Sequence, residues 1–402
     1  MCLSKAVLYQ CDAQLESFGH VPCNSRVIRQ QSEPENCAGK VSPQMNSHCI
    51  LAAIMLLLSS VSVRKADAMP AEKNIIDIHC HTAGIGAGGS GCFVSPALQG
   101  SWKYRIYLKA FGVTEKELRQ EGDALVLRRL SETLTRSRRV AQAVVLAMDG
   151  VVGEDGELDR ARTEIYIPNE FVAAEIRRYP NLLFGASINP YRRDALQRLD
   201  RAAASGAVLV KWLPSIQHID PADERLVPFY RKLKELGLPL LTHTGEESSF
   251  TWTRDELGDP ERLRLPLSLG VSVIAAHAAS NGRNCGERNH ERLLRLAREY
   301  PNLHADISAL TQVNRLGHLR RVLKERELQG RLLYGSDMPL LNTAVVSPYA
   351  FLGRLSPRRV FAIARIENPW DRDVALKEAL GAGPEILSNA KDIIRIAKPK
   401  VL

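Results

Sequence analysis

The chain has 402 residues, 45 % of them hydrophobic and 25 % charged, enough to bury a large core and unlike a fibrous, low-complexity or disordered chain. Its net charge of +9 comes from Lys and Arg spread along helical stretches such as LLRLAREYP and HLRRVLKERELQG. No aromatic–basic interleaving accompanies them, so the charge reads as solvated helix faces and excludes a nucleic-acid partner. Cys2, Cys11, Cys23, Cys37 and Cys49 crowd the start of the chain; Cys80, Cys92 and Cys285 are too few to make a disulfide framework.

In chain order, the first feature is the apolar run CILAAIMLLLSSVSV (49–63), too short for a comfortable membrane span. The segment RKADAMPAE follows, with Ala66, Asp67 and Ala68 in an A-x-A cleavage pattern. Residues 1–68 therefore read as an N-terminal extension ending in a secretory signal, cut after Ala68, with Met45 an alternative start to Met1. This reading implies a secreted or periplasmic protein with no stable membrane association after cleavage, and leaves 69–402 as the folded unit. An uncleaved anchor and a genuine extra segment are the rival readings.

Short apolar runs then alternate with amphipathic helical patterns. The runs are NIIDIHCH (74–81), QAVVLAMDG (142–150), LLFGASIN (182–189), AVLVKWLP (207–214), LPLLTHTG (238–245), VSVIAAHA (271–278), LHADISAL (303–310) and RLLYGSDMP (331–339). Near-continuous apolar strands separated by helices predict a parallel sheet covered on both faces. Polar residues near the strand ends recur about every thirty residues, the period of a (β/α)8 TIM barrel. A long insertion, Thr82 to Ala141, separates the first two strands, and its glycines (GIGAGGSG) suggest a mobile segment over the barrel mouth rather than a dinucleotide site, because no helix starts directly behind them. Two helical segments, PWDRDVALKEALG and PEILSNAKDIIRI, close the chain.

The first strand sets the chemical question. Alternation puts Asp77, His79 and His81 on one face and Ile76, Ile78 and Cys80 on the other. Two imidazoles two residues apart on a rigid strand suit metal ligation, with Asp77 one step deeper as a supporting partner. Barrel active sites lie at the C-terminal strand ends, and there the chain has His79, His81, Lys211, His243, His277 and Asp337. Each alone has a structural explanation; left uncompensated together, they would cost several kcal/mol each. His218 is expected in a loop where it meets substrate; His290, His304, His318 and the mid-strand Asp306 are read as structural. Trp102, Trp212 and Trp252 are read as core or as apolar surface near the pocket.

On DIHCH, VKWLP, LLTHTG, VIAAHAAS and LLYGSDMP, in that order over about residues 74–393, the chain resembles the metal-dependent amidohydrolase superfamily, in the amidohydrolase-related branch that also includes non-oxidative decarboxylases. The resemblance implies that His79, His81 and Asp337 bind metal, and that His243 and His277 complete one or two sites. Lys211 stands where binuclear members carry a carboxylated, metal-bridging lysine; in many mononuclear relatives it is not a ligand. The expected cofactor is a divalent ion, zinc first, one or two per chain, with Mn²⁺ or Fe²⁺ the alternatives. The implied reaction is hydrolysis of a C–N or C–O bond at a carbonyl carbon of a small molecule by a metal-activated water, with Asp337 as acid/base and His277 as a ligand or oxyanion-stabilising group. The alternatives are a non-oxidative decarboxylase, its carboxylate clamp drawn from Lys103, Arg105 or Arg193, and an inactive metal-binding barrel.

Overall fold

A computed structural model describes residues 73–396. The apolar run and the cleavage pattern before Ala68 lie outside the described residues. Eight parallel strands follow one another around a sheet in chain order. They are β1 Ile75–His81, β2 Val140–Leu146, β3 Leu182–Ala186, β4 Ala207–Trp212, β5 Leu240–His243, β6 Val273–Ala276, β7 Leu303–Asp306 and β8 Leu332–Leu333. The sheet closes on itself. Ile78 N donates to Tyr334 O, Asp337 N to His79 O and His81 N to Met338 O, and Cys80 pairs with Met338 across the seam. The expected eight-stranded barrel is the observed one.

Two apolar clusters show which way each strand faces. Ile76, Ile78, Val144, Leu146, Leu241, Ile274 and Leu333 form the small interior cluster, joined by Ala390 and Ile394 from the C-terminal segment. Cys80, Ala143, Val145, Val210, Trp212 and Ala305 belong to the larger cluster that also contains the helix residues Leu199, Leu233, Leu293 and Trp370. The helices that cover this outer surface include α5 Asn169–Ile176, α6 Ala195–Ala204, α7 Val227–Leu236, α8 Asn289–Glu299 and α9 Pro369–Ala379. Their ends follow local sequence: Pro228 occupies the first turn of α7 and Gly237 ends it at φ 64°, where only a residue without Cβ sits freely.

The strand-one alternation needs correcting. Asp77 pairs with Ala143 and Cys80 with Val145, so β1 carries one extra residue over that stretch. A bulge of one residue reverses the alternation beyond it. Ile76 and Ile78 therefore face the interior, Asp77 faces outward to α9, and His79 and His81 return to the interior. Asp77 accepts from Trp370 Nε1 on α9 at 2.8 Å, from Ser336 Oγ at 2.5 Å, and from the backbone N–H of His79 at 3.0 Å and Ser336 at 2.9 Å. It fixes the main chain beneath the histidine rather than an imidazole ring. Burial drives its pKa up to about 6, against those four bonds.

Helix α9 ties the seam from outside. Besides the Trp370 contact, its buried Lys377 donates to Gly335 O at 2.7 Å and to Asp373 at 2.6 Å. Asp371 accepts from Ser137 Oγ and from the backbone N–H groups of Arg138 and Arg139 at the start of β2.

Between β1 and β2 lie four helices: α1 Pro96–Gly100, α2 Trp102–Ala110, α3 Glu115–Glu121 and α4 Ala124–Thr135. Thr114 and Glu117 form a capping box at the start of α3. The glycine-rich stretch before them, expected to be mobile, is anchored. Asp123 accepts from the N–H groups of Ile85 and Gly86 and from Ser90 Oγ, and Gly86, Gly88, Gly89 and Gly91 take the positive φ angles this fold-back needs.

Candidate metal and substrate site

His79 stands at the centre of the upper barrel. Its Nδ1 lies 2.8 Å from Asp306 Oδ2. Its Nε2 lies 3.1 Å from Lys211 Nζ, 3.2 Å from His81 Nε2 and 3.7 Å from Asp337 Oδ1. Burial, reinforced by the Lys211 charge and opposed by Asp306, lowers the His79 pKa to about 4. The ring is thus neutral at pH 7. With Nδ1–H donated to Asp306, the Nε2 lone pair points into the cluster.

His81, two residues on, reaches the same point from the same strand, with its Nε2 3.3 Å from Asp337 Oδ1. Lys211, fully buried at the end of β4, has its pKa drawn down to about 8 by burial, against the pull of Asp306, Asp337 and Glu247. His243 ends β5. Its Nδ1 lies 3.4 Å from Glu247 Oε2, while its Nε2 is buried without a partner. The Glu247 carboxylate, itself tied to Ser249 N at 2.7 Å, settles which nitrogen of His243 is free.

His277 and Asp337 are the strained members. Both sit just past a strand at positive φ, 57° and 61°, where a residue with a side chain stays only if its surroundings hold it. His277 N donates to Asp306 Oδ1 at 2.8 Å, and its Nδ1 lies 3.1 Å from Ser308 O and 2.8 Å from Ser308 Oγ. Asp337 N donates to His79 O at 2.9 Å. Burial opposes ionisation of Asp337, but the hydrogen bond from His81 and the neighbouring His277 and His79 outweigh it, holding the carboxyl well below the usual carboxylate range.

One ring nitrogen each of His79 and His277 and one carboxylate oxygen of Asp337 lie within 4.8 Å of one another. The His79 and His277 rings stack at 5.1 Å, and His243 meets His277 edge-on at 5.1 Å. The structure thus brings all six strand-end residues, His79, His81, Lys211, His243, His277 and Asp337, to one place. A set of imidazoles and a carboxylate, with burial holding His79, His243 and His277 below the usual imidazole range and His243 Nε2 unpartnered in the interior, fits a divalent ion.

Asp306 belongs to this site. Read from sequence as structural, it joins His79, His277 and Ser308 through its two oxygens, accepting from Ser308 N at 3.0 Å as well. Burial raises its pKa, but His79 and His277 more than offset it, leaving the carboxyl below its usual range.

The six strand-end residues floor a cavity of about 160 Å³. Its wall is largely apolar: Val94, Leu98, Leu108 and Phe111 come from the insertion, and Met148, Leu213 and Phe250 from the loops after β2, β4 and β5. Gln312 and Arg315, after β7, and Glu247, after β5, are among the polar lining residues that sequence reasoning missed. Arg315 carried no signal beyond its place shortly after a strand end.

Other expected positions fall elsewhere. His218 does not line the cavity; it caps a short helix at φ 54° and packs edge-on against Trp252. None of the three expected clamp cations lines it. Lys103 Nζ donates to the carbonyls of Ser248 and Phe250, while Arg105 and Arg193 are exposed. Trp212 is core, its Nε1 bonded to Ile188 O, and Trp102 and Trp252 are surface residues.

A family model described as Amidohydrolase matches residues 76–354. No curated protein matches the chain. Among solved structures, a TIM-barrel protein from Bordetella bronchiseptica is 16 % identical, with 76 % of this chain and 99 % of that one covered at a TM-score of 0.47. The IDCase of Metarhizium anisopliae is 11 % identical, covering 81 % and 97 % at 0.47. The 5-carboxyvanillate decarboxylase of Sphingomonas paucimobilis is 12 % identical, covering 81 % and 100 % at 0.40.

Proposed function

The chain belongs to the amidohydrolase family, and on that footing we propose that it is a metal-dependent hydrolase of a C–N or C–O bond at a carbonyl carbon. The observation that carries this reading is the convergence of His79, His277 and Asp337 on the cavity floor, with His81 beside His79 and Asp337, Lys211 beside His79 and His243 beside His277. His79, His81, His277 and Asp337 would hold the ion, with His243 and Lys211 at hand for a second. Zinc best suits this donor set. Such an ion supplies Lewis acidity and a water whose pKa falls to near 7.

The remaining chemistry belongs to the chain. Asp306 and Ser308 set the ring orientations of His79 and His277 before substrate arrives. Asp337 takes a proton from the attacking water and returns it to the leaving nitrogen or oxygen. Gln312, whose Nε2 is 3.5 Å from Asp337 Oδ2, keeps that carboxylate turned toward the reacting atoms. The apolar wall excludes bulk water. Decarboxylation is the second reading, favoured by that same wall, since a carboxylate stripped of its hydration loses CO₂ more readily.

The test begins with elemental analysis of purified protein. One or two metals per chain, with release of amine or alcohol from an amide, ester or lactone panel and its abolition in Asp337→Asn, is the expected result. CO₂ release from carboxylic acids without hydrolysis would shift the assignment to the second reading. Metal-free protein that cannot be reloaded would end both.

We also infer that residues 1–68 direct export and are removed after Ala68. Among the described residues no helix is long and apolar enough to cross a membrane. N-terminal sequencing of mature protein should start at Met69; an intact Met1 or Met45 start would refute cleavage.

A further inference from the structure

Arg315 is a charged side chain buried beside an apolar cavity, only 7 % exposed. Its Nη1 donates to Ser280 Oγ at 3.0 Å, its one side-chain hydrogen bond among the described residues. Its Nε is buried with no partner at all. Among the described residues no carboxylate oxygen lies within 4.0 Å of it, although the other well-buried arginine, Arg192, is paired to Asp149. A buried guanidinium without an anion is costly unless something supplies one.

The surroundings say what that something is. The buried carboxylates Asp306, Asp337 and Glu247 gather with Lys211 on the histidine side of the site, and none of the three lies within ion-pair distance of Arg315. The same cavity is lined by Leu98, Leu108, Phe111, Met148 and Phe250. Among the described residues no second arginine lines it. The planar guanidinium is held at Nη1, and its Nε and Nη2 donors have no protein partner among the described residues, so its capacity to bind a carboxylate is unspent.

We propose that Arg315 is the substrate's anion-binding residue, and that the substrate is an amphipathic monocarboxylate whose carboxylate meets the guanidinium while its apolar body lies against the insertion. The proposal rests on the reading of this cavity as the substrate site, but not on which bond is broken there. Ser280 acts as a positioning residue for Arg315.

The experiment is calorimetric titration of the purified protein with three inert probes: 4-phenylbutyrate, its neutral amide 4-phenylbutyramide, and the dianion adipate. Each is run on metal-loaded and chelator-stripped protein. The carboxylate should bind at least about tenfold tighter than the amide, as expected of a charge-assisted bidentate contact, with or without metal. Adipate, which lacks the apolar end, should bind more weakly. Arg315→Gln should bring carboxylate and amide within about twofold of each other; Arg315→Lys, which keeps the charge and loses the fork, should fall between. The lysine variant also preserves the test if the glutamine variant melts early. A preference retained in Arg315→Gln overturns the proposal. So does a preference lost on stripping wild type, which would put the carboxylate on the ion, or adipate binding as tightly as 4-phenylbutyrate, or no binding of either phenyl probe by wild type. Failure of metal loading or of hydrolysis would sink the hydrolase reading while leaving this preference measurable.

Discussion

Replacing Asp306 by asparagine separates the two tasks of that side chain. Oδ1 accepts from His277 N, Ser308 N and Ser308 Oγ, whereas Oδ2 faces only His79 Nδ1. An asparagine that keeps its oxygen in the Oδ1 place retains the three donors and the backbone they fix. Its NH₂ then stands where Oδ2 stood and donates to His79 Nδ1, which forces the ring proton onto Nε2. That nitrogen is the one aimed at His81, Lys211 and Asp337, and protonated it cannot ligate. Loss of such an orienting partner costs about 10- to 100-fold in metal affinity, or about 1.4–2.7 kcal/mol. Chelator competition on Asp306→Asn should show that loss with little change in melting temperature. Asp306→Ala is the contrast: it strands two buried backbone N–H groups at about 1–3 kcal/mol each, and should melt several degrees lower. Metal affinity in Asp306→Asn within threefold of wild type would refute the tautomer argument.

Two further outcomes follow from single contacts. A Cβ on Gly335 would sit 2.9 Å from His79 Cβ and 3.0 Å from Ser308 Cβ, so Gly335→Ala should cost about 1–3 kcal/mol in urea unfolding and weaken metal binding by displacing His79; unchanged values for both would mean the site tolerates that displacement. His304, largely buried within β7, has its pKa lowered to about 4 from 6.5 by burial, helped by Arg331. The folded state therefore refuses a proton that the unfolded chain takes up, and stability falls as pH drops from about 6.5 to about 4. The full loss is about 3 kcal/mol. His304→Leu should not suffer it, so the stability difference between variant and wild type should move in the variant's favour by up to that amount between pH 7.5 and pH 4. A pH-independent difference would contradict the burial assignment.

The barrel was legible because its signal is redundant: eight apolar runs at one period leave little choice of topology. The six strand-end residues were legible for the same reason, each marked by a polar side chain where packing alone would place none. What escaped has a common cause. The β1 bulge between Asp77 and Cys80 depends on how Ile78 and His79 register against β2, and a single strand does not encode its partner's register. Asp306 looked structural because it lies in a strand; only closure of the barrel sets it against the rings of β1 and the loop after β6. Glu247 and Arg315 sit in loops, where no periodicity marks a functional residue. The expected clamp residues failed oppositely: Lys103 and Arg105 lie on α2, whose apolar residues Tyr104 and Leu108 take the cavity side and turn the basic ones away from it.

The bulge also explains how one strand supplies two cavity-facing histidines and a packed core. Below it, Ile76 and Ile78 fill the barrel with Val144, Leu146 and Leu241; above it, His79 and His81 face the cavity. Without the extra residue, the face carrying His79 and His81 would also carry Asp77, and a carboxylate would be buried among those aliphatic side chains. With it, Asp77 turns out to Trp370 and Ser336 and holds the His79 main chain from behind. Gly335 completes the arrangement, since only a residue lacking Cβ lets β8 approach His79 and Ser308 this closely. The strain at His277 and Asp337 is then supported on several sides: by Asp306 and Ser308 for one, and by His79 O and His81 for the other. A site built this way has its ring orientations set before an ion or substrate arrives, which is where a fixed donor set gains over a flexible one.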